Sequence, residues 1–260
     1  MKIKAAVIRQ SGLPQPYAQS RPLSIEEVDL DPPGPRELLV QVKAAGLCHS
    51  DLSTINGDRP RQTPMVLGHE AAGVVAEVGS GVTDLVPGDH VVMVFAPSCG
   101  QCMPCQEGFP ARCENGQKAN GAGTLMGGHI RLHQNGQPVY HHTGVSAFAE
   151  YCVVNRGSVV KVDDALPFDE AAVFGCAVLT GVGAALNTAN VFAGARVAVV
   201  GLGGVGLNAL LGAQVAGANR IVAIDIHDDK LELAKSLGAT DVVNAKDPDA
   251  IAKVKTITDG

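Results

Sequence analysis

The sequence has no run of lysines or arginines, and 20 basic against 26 acidic side chains leave it a formal charge of -6. Such a chain gives a phosphate backbone or an anionic lipid headgroup nothing to hold, so no nucleic-acid partner is expected. Also missing is a long apolar core at the start. MKIKAAVIRQ is a short strand-like alternation that soon meets Pro14 and Pro16, unlike a secretory leader. A cytoplasmic location follows as the expectation. Residues 171–195 carry no charge over 25 positions, which passes the length test for a spanning helix. Thr180, Asn187, Thr188 and Asn190 would want partners in lipid, however, and four glycines interrupt the stretch. A buried helix followed by a turn is expected instead, and no membrane partner. The cysteines number seven, an odd total that speaks against a secreted disulfide framework and for reduced thiols. Neither an internal repeat nor a low-complexity linker is present.

What remains is a chain of 260 residues, 46% hydrophobic, able to fill substantial cores. Up to about residue 160 it consists of short β-branched runs punctuated by Gly and Pro, among them ELLVQVKAAG, AAGVVAEVGSGV, DHVVMV and AEYCVV. These predict an irregular antiparallel barrel or sandwich. After Ala195 the text becomes RVAVVGLGGVG, a helix, RIVAIDI, the helix KLELAKSLG and the strand DVVNA. That is βαβαβ, hence a parallel sheet with helices packed on it. The expected domains are residues 1–177 and 178–260. A doubly wound dinucleotide fold has two such halves and only one is written here, so about a hundred residues of the fold are expected to be missing and the chain to be a fragment.

Four of the cysteines crowd into CGQCMPCQEGFPARC, residues 99–113. Four thiolates suit tetrahedral zinc, and the intervening residues have too little apolar content for a core of their own. An iron–sulfur cluster or a redox pair is the alternative. Ferredoxin-type runs place the fourth cysteine after three residues and before a proline, whereas Cys113 lies eight positions beyond Cys105 and precedes Glu114. Cys99, Cys102, Cys105 and Cys113 are therefore expected to hold a structural zinc, closed to chemistry.

Chemistry is sought in GLCHSD at 46–51, GHE at 68–70 and FGCAVLTG at 174–181. Each is weak alone. Together they supply Cys48, His69 and Cys176, the two-sulfur, one-nitrogen donor set of the catalytic zinc in alcohol dehydrogenase. With the four-cysteine lobe and GLGGVG in the same order, the sequence resembles the zinc-dependent medium-chain alcohol dehydrogenases, in which a GroES-like catalytic domain precedes a Rossmann domain.

The resemblance implies a catalytic zinc on Cys48, His69 and Cys176, acting as a Lewis acid on an alcohol while hydride leaves for the cofactor. It implies that Ser50 accepts the alcohol proton, that Asp51 orients the ligand histidine, and that Glu70 tunes the zinc. On spacing alone, Ser50 and Asp51 are equally residues of a helix start. His49 matches a position that meets the cofactor pyrophosphate, and Phe95 a wall of the alcohol pocket, though Phe95 also reads as plain core. One departure stands out: Ser53 occupies the place of the family's outer relay histidine, which puts the proton's exit in doubt. Cys152 and the pair His141 and His142 match no ligand position. The cysteine reads as a small buried hydrophobe and the pair as loop histidines.

GLGGVG, Gly201 to Gly206, follows a strand and opens a helix, and Asp225 closes the next strand nineteen residues beyond Gly206. That context fits a dinucleotide turn: Gly201 for the tight bend, Gly203 for close approach of a pyrophosphate, and Gly206 for packing of helix on strand. Gly204 completes the turn, and the helix N-terminus supplies amides. Asp225 can accept both ribose hydroxyls and would repel a 2'-phosphate, so NAD is expected rather than NADP. By the resemblance, Val205 and Thr180 lie near the nicotinamide and Lys230 beside the adenosine ribose. The expected activity is NAD-dependent oxidation of an alcohol to an aldehyde or ketone, with two zinc ions per chain and a homo-oligomeric full-length form. Oxidation of a formaldehyde–thiol adduct is the alternative within the family. A zinc-holding remnant without turnover is the alternative outside it, since half a parallel sheet leaves a central strand exposed at an edge.

Overall fold

The computed structural model describes residues 1–259, which form two compact units, Met1–Gly175 and a second that begins at Cys176. The first unit holds ten strands: β1 (Lys2–Ile8), β2 (Leu23–Leu30), β3 (Glu37–Ala45), β4 (Met65–Val66), β5 (Ala71–Val78), β6 (His90–Met93), β7 (Leu132–Gln134), β8 (Gln137–His141), β9 (Tyr151–Asn155) and β10 (Val159–Lys161). Strands β1, β2, β7, β8 and β4 close into a barrel, and β10, β6, β5, β3 and β9 form a five-stranded antiparallel sheet. Closure depends on the two residues of β4, which pair antiparallel with β1 and parallel with β8.

The period-2 alternation of strands explains both cores. Ile3, Ala5 and Val7 of β1 point into the barrel with Val28, Leu30, Val66, Leu132 and Val139. Strand β3 serves two cores: Leu39 joins the barrel cluster, while Leu38 and Val40 pack with Val75, Val91, Met93 and Val154. A strand buried on both faces needs consecutive apolar residues, which is why Leu38, Leu39 and Val40 run without a polar residue between them. Cys152 lies in the second cluster with its Sγ 3.7 Å from Met93 Sδ, and burial pushes its thiol up to about 12.

The second unit carries β11 (Arg196–Val200), β12 (Arg220–Asp225) and β13 (Asp241–Asn244), parallel and in that order, the βαβαβ written in the sequence. Helices Gly204–Val215 and Asp228–Ser236 connect them. Val199, Leu202, Leu210, Ala213, Ile221 and Leu231 form the core.

The single buried helix expected after Ala171 is broken into pieces: Phe168–Ala172, a tight turn Val173–Gly175, Ala177–Gly183 and a wide turn Ala184–Thr188. Gly175 sits so close to β6 that a Cβ there would lie 1.9 Å from the Met93 carbonyl oxygen. Cys176 then leaves helical space at φ -137°, ψ -76°. Among the described residues no single helix is long and apolar enough to cross a membrane.

Candidate metal centres and dinucleotide turn

Strand β3 ends in a bulged stretch and the chain passes through Gly46 and Leu47 to Cys48, the N-cap of the helix His49–Ile55. There the Cys48 sulfur accepts from the Ser50 N–H, and Asp51 reaches back to the Cys48 N–H at 3.1 Å. The helix start and the site are thus one arrangement, so the capping and functional readings of Asp51 do not compete.

Asp51 is buried and its Oδ1 accepts from Nδ1 of His69 at 3.1 Å and from the Gly68 N–H at 3.3 Å. With Nδ1 so engaged, Nε2 of His69 is the ring nitrogen left to bind an ion. Ligand atoms of Cys48, His69 and Cys176, which is bonded directly to Gly175, lie within 4.8 Å of one another. Burial opposes charge at this group, but hydrogen bonds and opposite charge outweigh it. The Ser50 N–H and His69 lower the Cys48 pKa, Asp51 and Cys48 raise that of His69, and His142 and His69 hold Asp51 ionised.

Around this centre, Glu70 is buried with its carboxylate against Gly46, and the Phe95 ring meets His69 edge-on at 5.8 Å. Ser50 Oγ accepts from Nη1 of Arg59 at 3.3 Å. Ser53 Oγ lies 3.4 Å from Nδ1 of His49 on the same helix, so the serine in the relay histidine's place is coupled to a histidine one turn earlier.

Of the two expected loop histidines, His141 is instead the last residue of β8, while His142 follows it in the loop, and both are at most 2% exposed. Nε2 of His141 accepts from the Arg131 N–H at 3.1 Å, and burial with nearby Arg131 and His133 drives its pKa down to about 3. Nδ1 of His142 stands 3.3 Å from the same Asp51 oxygen that holds His69. The sequence shows the pair but not that contact. The role of Arg59 is hidden for a similar reason, since nothing in a loop's spelling says which hydroxyl its arginine will meet.

In the lobe, the sulfurs of Cys99, Cys102, Cys105 and Cys113 lie within 4.8 Å of one another, with Cys102 3.4 Å from Cys105 and 3.9 Å from Cys113. Zinc–thiolate bonds of about 2.3 Å in a tetrahedron place sulfurs about 3.8 Å apart, so this spacing suits one ion. Backbone amides converge on the sulfurs: Cys113 accepts from Cys99 and Gly116, Cys99 from Gln101 and Cys102. The Gln101 N–H and the Asn115 amide pull Cys99 down to about 6, while desolvation and the Cys102 thiol push Cys105 up to about 11.

In the second unit, Gly201 has φ +87°, and a Cβ on Gly206 would lie 1.7 Å from the Gly201 carbonyl oxygen. Space above Gly203 is open. Asp225 Oδ2 accepts from the Leu202 N–H at 2.7 Å and Oδ1 from Ile226 and His227. Those amides, with Lys230 nearby, lower its pKa. The carboxylate expected to bind a ribose also closes the glycine turn. Val205 is on the first turn of Gly204–Val215 and Thr180 on Ala177–Gly183.

Residues 34–164 match the alcohol dehydrogenase GroES-like domain and residues 204–260 the zinc-binding dehydrogenases. The chain belongs to the zinc-binding alcohol dehydrogenase family. It is 44% identical over 250 residues to an S-(hydroxymethyl)glutathione dehydrogenase of Escherichia coli O1:K1, the alignment taking in 96% of this chain and 66% of that protein. Among solved structures, a benzyl alcohol dehydrogenase from Acinetobacter calcoaceticus superposes with a TM-score of 0.90 at 37% identity, covering 100% of this chain and 68% of the other. An alcohol dehydrogenase zinc-binding domain protein from Burkholderia ambifaria gives 0.92, also at 37% identity and the same coverages. This chain therefore spans just under two thirds of the length of its curated relative. Membership in the zinc-binding dehydrogenases implies zinc and a nicotinamide dinucleotide, and the sulfur–nitrogen donor sets and the glycine turn fit both.

Proposed function

We propose that this chain belongs to an enzyme that oxidises an alcohol to an aldehyde or ketone, with hydride passing to NAD. The observation that carries the reading is the convergence of Cys48, His69 and Cys176 beside a buried Asp51. Zinc at that position supplies Lewis acidity, which lowers the pKa of an alcohol toward neutral pH. The chain's own residues do the rest. Asp51 fixes the Nδ1–H tautomer of His69. Ser50 accepts the alcohol proton on the lone pair that Arg59 leaves open, and the His49–Ser53 pair lies on the same helix as a further polar step toward solvent. Glu70 adds a buried carboxylate that tunes the centre, and Phe95 walls off water. Cys99, Cys102, Cys105 and Cys113 hold a second, structural zinc.

NAD is the cofactor in this reading. Gly201, Gly203, Gly204 and Gly206 shape the pyrophosphate turn and Asp225 holds the ribose. His49 meets the pyrophosphate, Thr180 and Val205 the nicotinamide, and Lys230 the adenosine ribose. Residues 1–177 serve as the catalytic domain and 178–260 as the first half of a Rossmann domain, in a full-length form that is a cytoplasmic homo-oligomer. A formaldehyde–thiol adduct is the second substrate reading, favoured by the name of the 44% identical relative.

The test is zinc per chain after reconstitution, followed by NADH formation with benzyl alcohol and with S-(hydroxymethyl)glutathione. Two zinc ions with alcohol-dependent NADH support the reading, and a strong preference for the adduct selects the second. One zinc and no NADH would leave a zinc-holding fragment.

A further inference from the structure

We infer that His142 is a positioning residue for the Cys48, His69 and Cys176 centre, fixing through Asp51 the direction in which the His69 ring is aimed. The inference rests on the reading of that centre as a zinc site. It is carried by a close pair: Nδ1 of His142 is buried, has no other polar partner, and faces Asp51 Oδ1 at 3.3 Å. An ionised carboxylate has no proton to give, so the ring nitrogen facing it is a donor. Two imidazoles then address one oxygen, His69 at 3.1 Å and His142 at 3.3 Å, with ring centres 5.2 Å apart and planes at 81°.

His142 is built into place. Its N–H donates to Ser146 Oγ at 2.9 Å, and its carbonyl oxygen accepts from the Val145 N–H at 3.0 Å and from Thr143 Oγ1 at 2.8 Å. Thr143 and Ser146 sit in left-handed conformations at φ +50° and +59°, which non-glycine residues adopt at some strain. The same loop is tied to the segment that delivers His69, through Ala147 N–H to Gly68 O and Phe148 N–H to Leu67 O, both 2.9 Å. Gly68 allows that approach: its φ is +93°, and a Cβ would lie 2.5 Å from the Phe148 nitrogen. His142 and His69 are thus held in one frame with the carboxylate between them. With His142 removed, Asp51 keeps the Cys48 and Gly68 amides but loses the donor that opposes rotation of Oδ1 away from His69, and outer partners of this kind hold metal affinity within about 10- to 100-fold.

The experiment is metal release to a chelator from the cobalt-loaded chain, followed at each site by its absorption bands, in wild type, His142→Phe and His142→Asn. His142→Phe is expected to release cobalt from the three-ligand centre about 10- to 100-fold faster with altered bands, the four-cysteine site keeping its rate. His142→Asn, whose amide can place a donor near the lost Nδ1–H, should restore both bands and rate. Unchanged release in a folded His142→Phe would overturn the inference. Equally fast release from both variants would overturn it too, assigning the effect to ring packing. If His142→Phe does not fold, His142→Gln decides: its amide extends past the Nδ1 position, so fast release against slow release in His142→Asn supports the inference and equal rates overturn it. A wild-type chain that takes no metal at Cys48, His69 and Cys176 would end the zinc reading before any substitution is compared.

Discussion

Arg59 donates from Nη1 to the Oγ of Ser50 across 3.3 Å. The guanidinium stays charged at every pH of interest and has no lone pair, so it cannot carry the alcohol's proton onward. It can favour negative charge on an oxygen next to Ser50. Replacing it by glutamine should raise the midpoint pH for binding trifluoroethanol to the cobalt-loaded chain by about half a unit to one unit, read from the cobalt bands, and Arg59→Lys should recover most of the shift. An unmoved midpoint would mean that the side chain is merely solvated there.

The lobe of residues 99–113 has a single buried residue, Cys113. Without an apolar core its order must come from the sulfurs and what they hold. Cys102→Ser is expected to reduce zinc from the proposed two per chain to one and to make the lobe the first site of limited proteolysis, while the barrel keeps its melting temperature. Loss of the whole fold in this variant would show instead that the lobe supports the first unit.

Much of this was legible because the periodicities are local. KIKAAVI alternates, GLGGVG punctuates a strand and a helix, and seven cysteines divide into four that are clustered and three that are not. What could not be read depends on contacts distant in the chain. The barrel closes through Met65–Val66, too short to show any period. His142 gains its meaning only because the loop at 143–148 folds onto Leu67 and Gly68. The helix expected after Ala171 breaks around Gly175, which lies too close to the Met93 carbonyl to carry a side chain, a contact absent from composition.

Asp225 accepts from three amides, which leaves about one of its four lone-pair sites for a ribose. NAD should bind at least roughly tenfold more tightly than NADP in a fluorescence titration. Asp225→Asn should narrow that ratio and also weaken NAD, because an amide nitrogen cannot accept from Leu202 or from Ile226 and His227. Equal binding of the two dinucleotides by the unaltered chain would remove Asp225 from the cofactor site.

Glu26 on β2 accepts from Arg9, the residue after β1, from Ser24 of its own strand and from Gln134 of β7, and the Arg9 hydrogen bond draws its pKa from 4.5 to about 2. A carboxylate with a depressed folded pKa contributes stability above its unfolded value and loses it as pH falls through the folded one. The first unit should therefore lose about 1 to 2 kcal/mol between pH 4.5 and pH 2, allowing for screening at this partly exposed pair. Denaturant unfolding at the two pH values checks this, with Glu26→Gln expected to flatten that part of the profile. An equally steep loss in the variant would place the acid sensitivity elsewhere.

Gly46 precedes the N-cap Cys48 by two residues, and a Cβ built on it would fall 2.2 Å from Oε1 of Glu70 and 2.8 Å from its carboxyl carbon. Gly46 is not among the positive-φ glycines, so alanine there meets a steric limit and not a conformational one. The obstructing atoms are the far end of a flexible side chain, which can yield by rotation where backbone could not. Gly46→Ala should therefore fold, with a melting temperature within a few degrees of wild type, but with the buried Glu70 carboxylate turned from its place. If Glu70 tunes the neighbouring Cys48, His69 and Cys176 centre, the substitution should change its metal-exchange rate and cobalt bands much as Glu70→Gln does. The double variant should add little to either, because both changes remove the same carboxylate from the same position. Fully additive effects would show that Gly46 and Glu70 act on the centre by separate routes. No effect from either would confine Glu70 to packing under the end of β3.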